Sequence, residues 1–275
     1  MIAVKFTNGF GNNLFQYIAA RQLAAHHEQE LIGVCDKDYY AQPDLEALGI
    51  SFSQFTTPDD TIFVNDNNYL QCFSNNFKDK NFIVNGYFEN YKYYIDNLNE
   101  IRKWFPPIEK RKDNDLVIHF RAGDRLFINS KFDHKVSPES YLTAIECFDF
   151  DNLYIVTDMP KWDHISGPEL EKIKFHRGVR QGYEQKAEVG AAYFNSFIEA
   201  FAKFNPIVQK CGILEDFNFI RTFDNILFQH GTLGWWAAVL SDARKVGVYG
   251  PWRPWKKDTN KNLSQIALDG WFQWE

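Results

Sequence analysis

Leu116-Val117-Ile118-His119-Phe120-Arg121-Ala122-Gly123-Asp124-Arg125 is the stretch from which the fold reads outward. It opens as a short apolar run behind the polar segment 110–115, the pattern of a buried strand. It closes on a glycine between charged residues, where a strand leaves a sheet. Open α/β sheets bind ligands in the crevice beyond the carboxyl ends of their strands. His119 and Arg121 are two apart, so on an extended chain their side chains point the same way. The strand tip thus offers an imidazole and a guanidinium, with Asp124 just beyond. A guanidinium bonds two phosphate oxygens in its own plane, which suits a nucleotide diphosphate. The plainer reading is a strand-end ion pair between Arg121 and Asp124.

Upstream, residues 2–6 read as a first strand running into Thr7-Asn8-Gly9-Phe10-Gly11-Asn12-Asn13, a glycine and asparagine turn. Leu14, Phe15, Ile18, Ala19 and Ala24 then recur at helical spacing, and Ala20 and Ala25 permit close packing on a sheet. Strand, glycine turn and helix open many phosphate-binding units, because N–H groups at a helix start attract anions. A tight turn into a helix cap is the plainer alternative. Residues 31–35 read as a second strand and 43–48 as a short helix. Asp36 and Asp38 form an Asp-x-Asp, by which some sugar transferases hold a divalent metal, but the spacing is common on surfaces and no metal is expected. The polar stretch 51–80 has no assignable period, 81–85 reads as a strand and 96–105 as a helix. Pro106-Pro107 and the charged run 109–115 place a boundary between an N-terminal domain, 1–108, and a C-terminal domain, 109–275.

Downstream, Ser137 and Pro138 cap a helix whose inner face is Tyr141, Ile145 and Phe148. Residues 153–156 form a strand that puts Asp158 at a second strand tip. Helices are expected over 187–204 and 214–223, and a strand over 225–229. His230-Gly231-Thr232-Leu233-Gly234 turns into an apolar helix, and 245–249 closes the sheet. Strands alternate with helices in both halves, which predicts an α/β protein with parallel sheets.

The chain has 275 residues, enough for two domains of ordinary size. Its net charge of −6 argues against nucleic acid or an anionic membrane as partner. The aromatic share of 17% suits a carbohydrate-handling cleft, although most such rings belong in the core. No apolar run is long enough to span a bilayer, and the start lacks the basic and apolar regions of a signal peptide. Cys35, Cys72, Cys147 and Cys211 are widely spaced and fit neither a disulfide framework nor a zinc site. The expectation is a cytoplasmic protein.

Four blocks, in order, resemble the α1,2-fucosyltransferase family. Gly9-Phe10-Gly11-Asn12-Asn13-Leu14-Phe15-Gln16-Tyr17 resembles its Gly-x-Gly-Asn-Gln-Met-Phe-Gln-Tyr opening. Gly86-Tyr87-Phe88-Glu89 with Lys92-Tyr93-Tyr94 resembles its Gly-Tyr-Phe-Gln and Lys-Tyr-Phe block. His119-Phe120-Arg121-Ala122-Gly123-Asp124 resembles its His-x-Arg-Arg-Gly-Asp motif, and Thr232-Leu233-Gly234-Trp235-Trp236-Ala237-Ala238 its Ser-Thr-Phe-Ser-Trp-Trp-Ala-Ala block. Residues 168–213 carry the weakest likeness and read as an insertion.

The resemblance implies a GT-B fold: two Rossmann-like domains facing across a cleft, the first on the acceptor side and the second on the donor side. It implies an inverting, metal-independent transfer of fucose from GDP-fucose to a glycan hydroxyl, with no cofactor and an oligosaccharide or glycolipid-linked acceptor. Arg121 would hold the β-phosphate and His119 would lie against the nucleotide. Gly11 and Asn12 would reach the sugar-phosphate end, Asp158 the guanine edge, and Gly231 and Thr232 the diphosphate. Asp124 is the first choice for the catalytic carboxylate; Glu89 and Asp133 are acceptor-side alternatives. Three positions depart from the family pattern: Ala122 stands for an arginine, Met159 for an aspartate and Gly231 for a serine. Two alternatives follow, a xylose, rhamnose, mannose or galactose donor on the same fold, and a non-catalytic sugar- or nucleotide-binding protein.

Overall fold

The strand and helix periods resolve into two parallel sheets in a computed structural model that describes residues 1–121, 136–157, 183–209, 211–229, 231–250 and 267–274, without the side chains of 183–191. The first half runs β1 (Ile2–Lys5), α1 (Phe10–His27), β2 (Leu31–Val34), α2 (Gln42–Ala47), β3 (Ile62–Val64), β4 (Phe82–Val84) and α3 (Leu98–Lys103). The second runs β5 (Leu116–Phe120), α4 (Pro138–Ile145), β6 (Leu153–Thr157), α5 (Tyr183–Ala200), β7 (Ile207–Gln209), α6 (Ile213–Arg221), β8 (Asn225–Phe228), α7 (Thr232–Ser241), β9 (Lys245–Tyr249) and β10 (Phe272–Trp274). Sheet order is β2-β1-β4-β3 in the first and β10-β9-β8-β5-β6-β7 in the second, with every named pairing parallel. This is an α/β architecture of two parallel, Rossmann-like sheets whose glycine-rich helix starts meet.

In chain order the second sheet reads 3-2-1-4-5-6, the doubly wound order, and its direction reverses between β5 and β8. All five residues of β5 are buried, because strands flank it on both sides and helices cover its faces. His119 lies opposite Val156 on one neighbour and Phe228 on the other.

One apolar core spans both halves, and α7 is its axis. Every residue of α7 from Gly234 to Ser241 is buried, as a helix must be when it is apolar all round. Phe15 of α1 stacks on Trp235 at 5.1 Å and meets Trp236 edge-on at 4.8 Å. Tyr94 reaches Trp236 at 5.4 Å, and Phe10 reaches Phe217 of α6 at 5.3 Å. The connecting segment is bound into the seam. Arg102 donates to the Val239 carbonyl at 2.9 Å, and buried Arg221 donates to the Pro106 carbonyl at 2.9 Å. Burial lowers the Arg221 pKa to about 10, and its place in the last turn of α6 favours a cation there.

Five expectations change. Residues 62–64 of the unassigned stretch form β3, an edge strand too short to show a period. The helix expected over 96–105 shortens to 98–103, preceded by tight turns at 91–93 and 95–97. There the Asn90 side chain takes the Lys92 N–H at 3.2 Å, a local bond that competes with the helix ladder. β9 does not close the sheet, because β10 pairs outside it and buries Trp274 against Tyr141 at 4.6 Å. The described part of 168–213 is no insertion: β7 pairs with β6, and Phe197 and Phe201 of the α5 region are fully buried in the second core. Ala25 is exposed rather than packed on the sheet.

Candidate active site

The glycine turn before α1 is held by two buried amides. Gln16 accepts from the Thr7 N–H at 3.1 Å and donates to the Gly86 carbonyl at 2.9 Å, while Asn13 donates to the Thr7 carbonyl at 2.8 Å. These bonds fix the C-terminal ends of β1 and β4 to each other. Gly9 begins the helix, and its carbonyl accepts from Asn12 and Asn13 at 2.9 and 3.1 Å. Gly11 then meets the other half directly. A Cβ there would lie 2.3 Å from the Leu233 nitrogen and 2.5 Å from the Thr232 hydroxyl, so only glycine fits.

The opposing wall is the switch point of the second sheet. Gly231, the N-cap of α7, adopts φ +149° and ψ +130°, a region open in practice to glycine alone. A Cβ at Gly231 would sit 3.6 Å from Arg121 Cδ and 3.7 Å from His119 Cε1, so both predicted side chains flank one point. The Thr232 hydroxyl donates to Asn12 Oδ1 at 2.7 Å. His119, Arg121, Gly231, Thr232, Gly11 and Asn12 therefore converge where two helix starts face each other, and helix starts favour anions.

His119 is buried beneath α7, close enough that a Cβ on Gly234 would come within 2.6 Å of its Nδ1. Burial first, then the Arg121 charge, lowers its pKa to about 3. The imidazole is thus neutral, and its Nδ1 has no hydrogen-bond partner among the described residues. A group this weakly basic does not serve as a general base near neutrality; it offers a neutral polar edge beside the guanidinium. Arg121 is half-buried, and its carbonyl accepts from the Gln229 side chain. Gln229 in turn accepts from the Tyr141 hydroxyl at 2.6 Å, so two buried residues position the strand end.

Glu89 is exposed on the loop after β4. Asp66 organises that loop by accepting the Tyr87 and Phe88 N–H groups at 2.9 and 2.8 Å, with Phe88 at φ 53°. Asp124, Asp133 and Asp158 lie outside the described residues, as do Ala122 and Met159. Asp36 and Asp38 are exposed, and the four cysteines are free. The supports at Asp66 and Gln229 were not singled out from sequence. An aspartate in a polar stretch and a glutamine ending an apolar strand carry no distinguishing spacing.

No protein-family model matches the chain, and no curated protein matches it in sequence. Among solved structures it is similar to a mutant of Arabidopsis thaliana FUT1 in complex with GDP. That likeness has 11% identity and a TM-score of 0.49, and covers 92% of this chain and 71% of the other. Among the described residues, no helix is long and apolar enough to cross a membrane.

Proposed function

We propose that the chain is an inverting, metal-independent glycosyltransferase that moves fucose from GDP-fucose to a hydroxyl of a glycan acceptor. The observation that carries the reading is the meeting of His119 and Arg121 with Gly231 and Thr232 at the β5/β8 switch point, under the Gly11–Asn12 helix start. A diphosphate suits that place, since a guanidinium and two helix starts converge on it.

As the bond to the leaving diphosphate breaks, the sugar becomes oxocarbenium-like and negative charge grows on the β-phosphate. Arg121 and the amides at the starts of α1 and α7 stabilise that charge without reorganising. Neutral His119 adds no charge; it fills the floor and offers a hydrogen bond. The acceptor oxygen attacks from the opposite face, and a carboxylate takes its proton. Asp124 is the first choice for that role, with Glu89 and Asp133 as alternatives.

The test is donor hydrolysis and transfer measured across GDP-fucose, GDP-mannose, UDP-xylose and dTDP-rhamnose. Selective turnover of GDP-fucose supports the full reading. Turnover of another donor with none of GDP-fucose overturns the sugar assignment, and absence of nucleotide binding overturns the reading altogether.

A further inference from the structure

The ladders of β5 stop short of Arg121. On the β8 side the last pair is His119 with Phe228, and on the β6 side it is Phe120 with Thr157. β8 then gives way to the turn that starts α7 at Gly231. Past that point a side chain takes over from the strand. The Gln229 amide donates to the Arg121 carbonyl, and Gln229 lies two residues before Gly231. One buried amide thus ties the strand end that carries the guanidinium to the turn opposite it.

The amide does this only when it faces the right way. A backbone carbonyl can only accept, so Gln229 Nε2 must point at Arg121 and Oε1 away from it. The Tyr141 hydroxyl donates to that Oε1 at 2.6 Å, which selects the required orientation. Tyr141 has little room to move. It is fully buried, with ring centroids of Trp274, Phe197 and Phe120 at 4.6, 5.3 and 5.9 Å. Breaking either bond would leave a polar group stranded in that core, so the relay holds one geometry.

We propose that Gln229, oriented by Tyr141, is a positioning residue that holds the Arg121 guanidinium where charge develops on the leaving diphosphate. The proposal rests on the glycosyltransferase reading. Its effect passes through the Arg121 backbone, and a displacement of about 1 Å at a reacting site costs on the order of a hundredfold in rate.

Gln229→Leu and Tyr141→Phe are each made in the wild-type chain and in Arg121→Ala. Turnover and donor KM are measured with the donor that the wild type uses fastest, alongside GDP affinity by calorimetry and melting temperature. In the wild-type background Gln229→Leu is expected to lower kcat by about tenfold or more, with donor KM and GDP affinity within about threefold. Tyr141→Phe keeps the amide but not its orientation and lowers kcat by about threefold. In Arg121→Ala there is no guanidinium left to place, so neither substitution lowers kcat further. Equal losses in the two backgrounds make the pair merely structural and overturn the proposal. A folded Gln229→Leu with kcat within about twofold of wild type overturns it too, as does a parallel loss of kcat and GDP affinity. If Gln229→Leu does not fold, the Tyr141→Phe pair decides by the same comparison. A wild type that turns over no nucleotide sugar overturns the parent reading and this proposal together, whereas the other contrary results overturn the proposal alone.

Discussion

The Thr232 hydroxyl donates a 2.7 Å hydrogen bond to Asn12 Oδ1, joining two helix starts 220 residues apart in the chain. Each helix start carries a partial positive charge from N–H groups that lack intrahelical partners. Bringing two together is unfavourable unless something negative is meant to sit there. The hydrogen bond and the Phe15–Trp235 stack behind it hold the pair in place.

Gly11→Ala tests that contact. The added methyl would overlap the Leu233 backbone, which cannot swing away as a side chain can. The expected cost is about 1–3 kcal/mol of stability from overpacking. Turnover is expected to fall further than the melting temperature implies, because the helix starts are pushed apart. A variant matching wild type in urea denaturation and turnover contradicts the close approach.

Gly231→Ser restores the residue of the resembling family but places a Cβ on a backbone at φ +149°. The strain should cost about 1–3 kcal/mol. Chemical denaturation should show a lowered midpoint and no gain in activity. An unchanged midpoint means that the backbone there differs from the one described.

His119 sets a pH dependence whose sign is fixed. Its folded pKa, about 3, lies below the unfolded value of about 6.5. Between the two, the unfolded chain binds a proton that the folded protein refuses, so stability falls as pH drops through that window and is fully present above it. The imidazole resonances should not titrate between about pH 5 and about pH 8. A ring titrating near pH 6.5 would mean that His119 is solvated and able to act as an acid or base.

Asp44 of α2 is half-buried, and burial, then the charge of Glu215 on α6, raises its pKa. The folded state therefore carries a penalty while Asp44 is ionised, and the penalty disappears as pH falls through its raised pKa. Asp44→Asn should melt higher than wild type at neutral pH. That gain should shrink in acid, where both proteins carry a neutral group. A lower melting temperature at neutral pH contradicts the repulsion.

Much of this was legible in the sequence because it is periodic. The apolar run 116–120, the helical spacing after Gly11 and the alternation of strands with helices lead to two parallel sheets. Gly11 and the pair His119/Arg121 stood out through their motif resemblance, and the structure brings them together around Gly231 and Thr232. β3 and β10 were not, since three residues show no period and only the neighbouring strand makes them strands. The tryptophan block also hid its role: Trp235 and Trp236 are buried at the seam between the halves. Asp66 and Gln229 act through backbone groups distant in sequence, which no local pattern encodes.

The central claim is that Arg121 neutralises charge developing on the leaving diphosphate. The measurement is turnover, with melting temperature on the same purified samples, for wild type, Arg121→Ala and Arg121→Lys with the best donor. The account predicts folded variants, with Arg121→Ala slowed on the order of a hundredfold or more, about 3 kcal/mol in the barrier. Arg121→Lys should recover little, because an ammonium lacks the planar two-bond grip on phosphate. A folded Arg121→Ala protein with turnover within about threefold of wild type, a barrier change below about 1 kcal/mol, would contradict it.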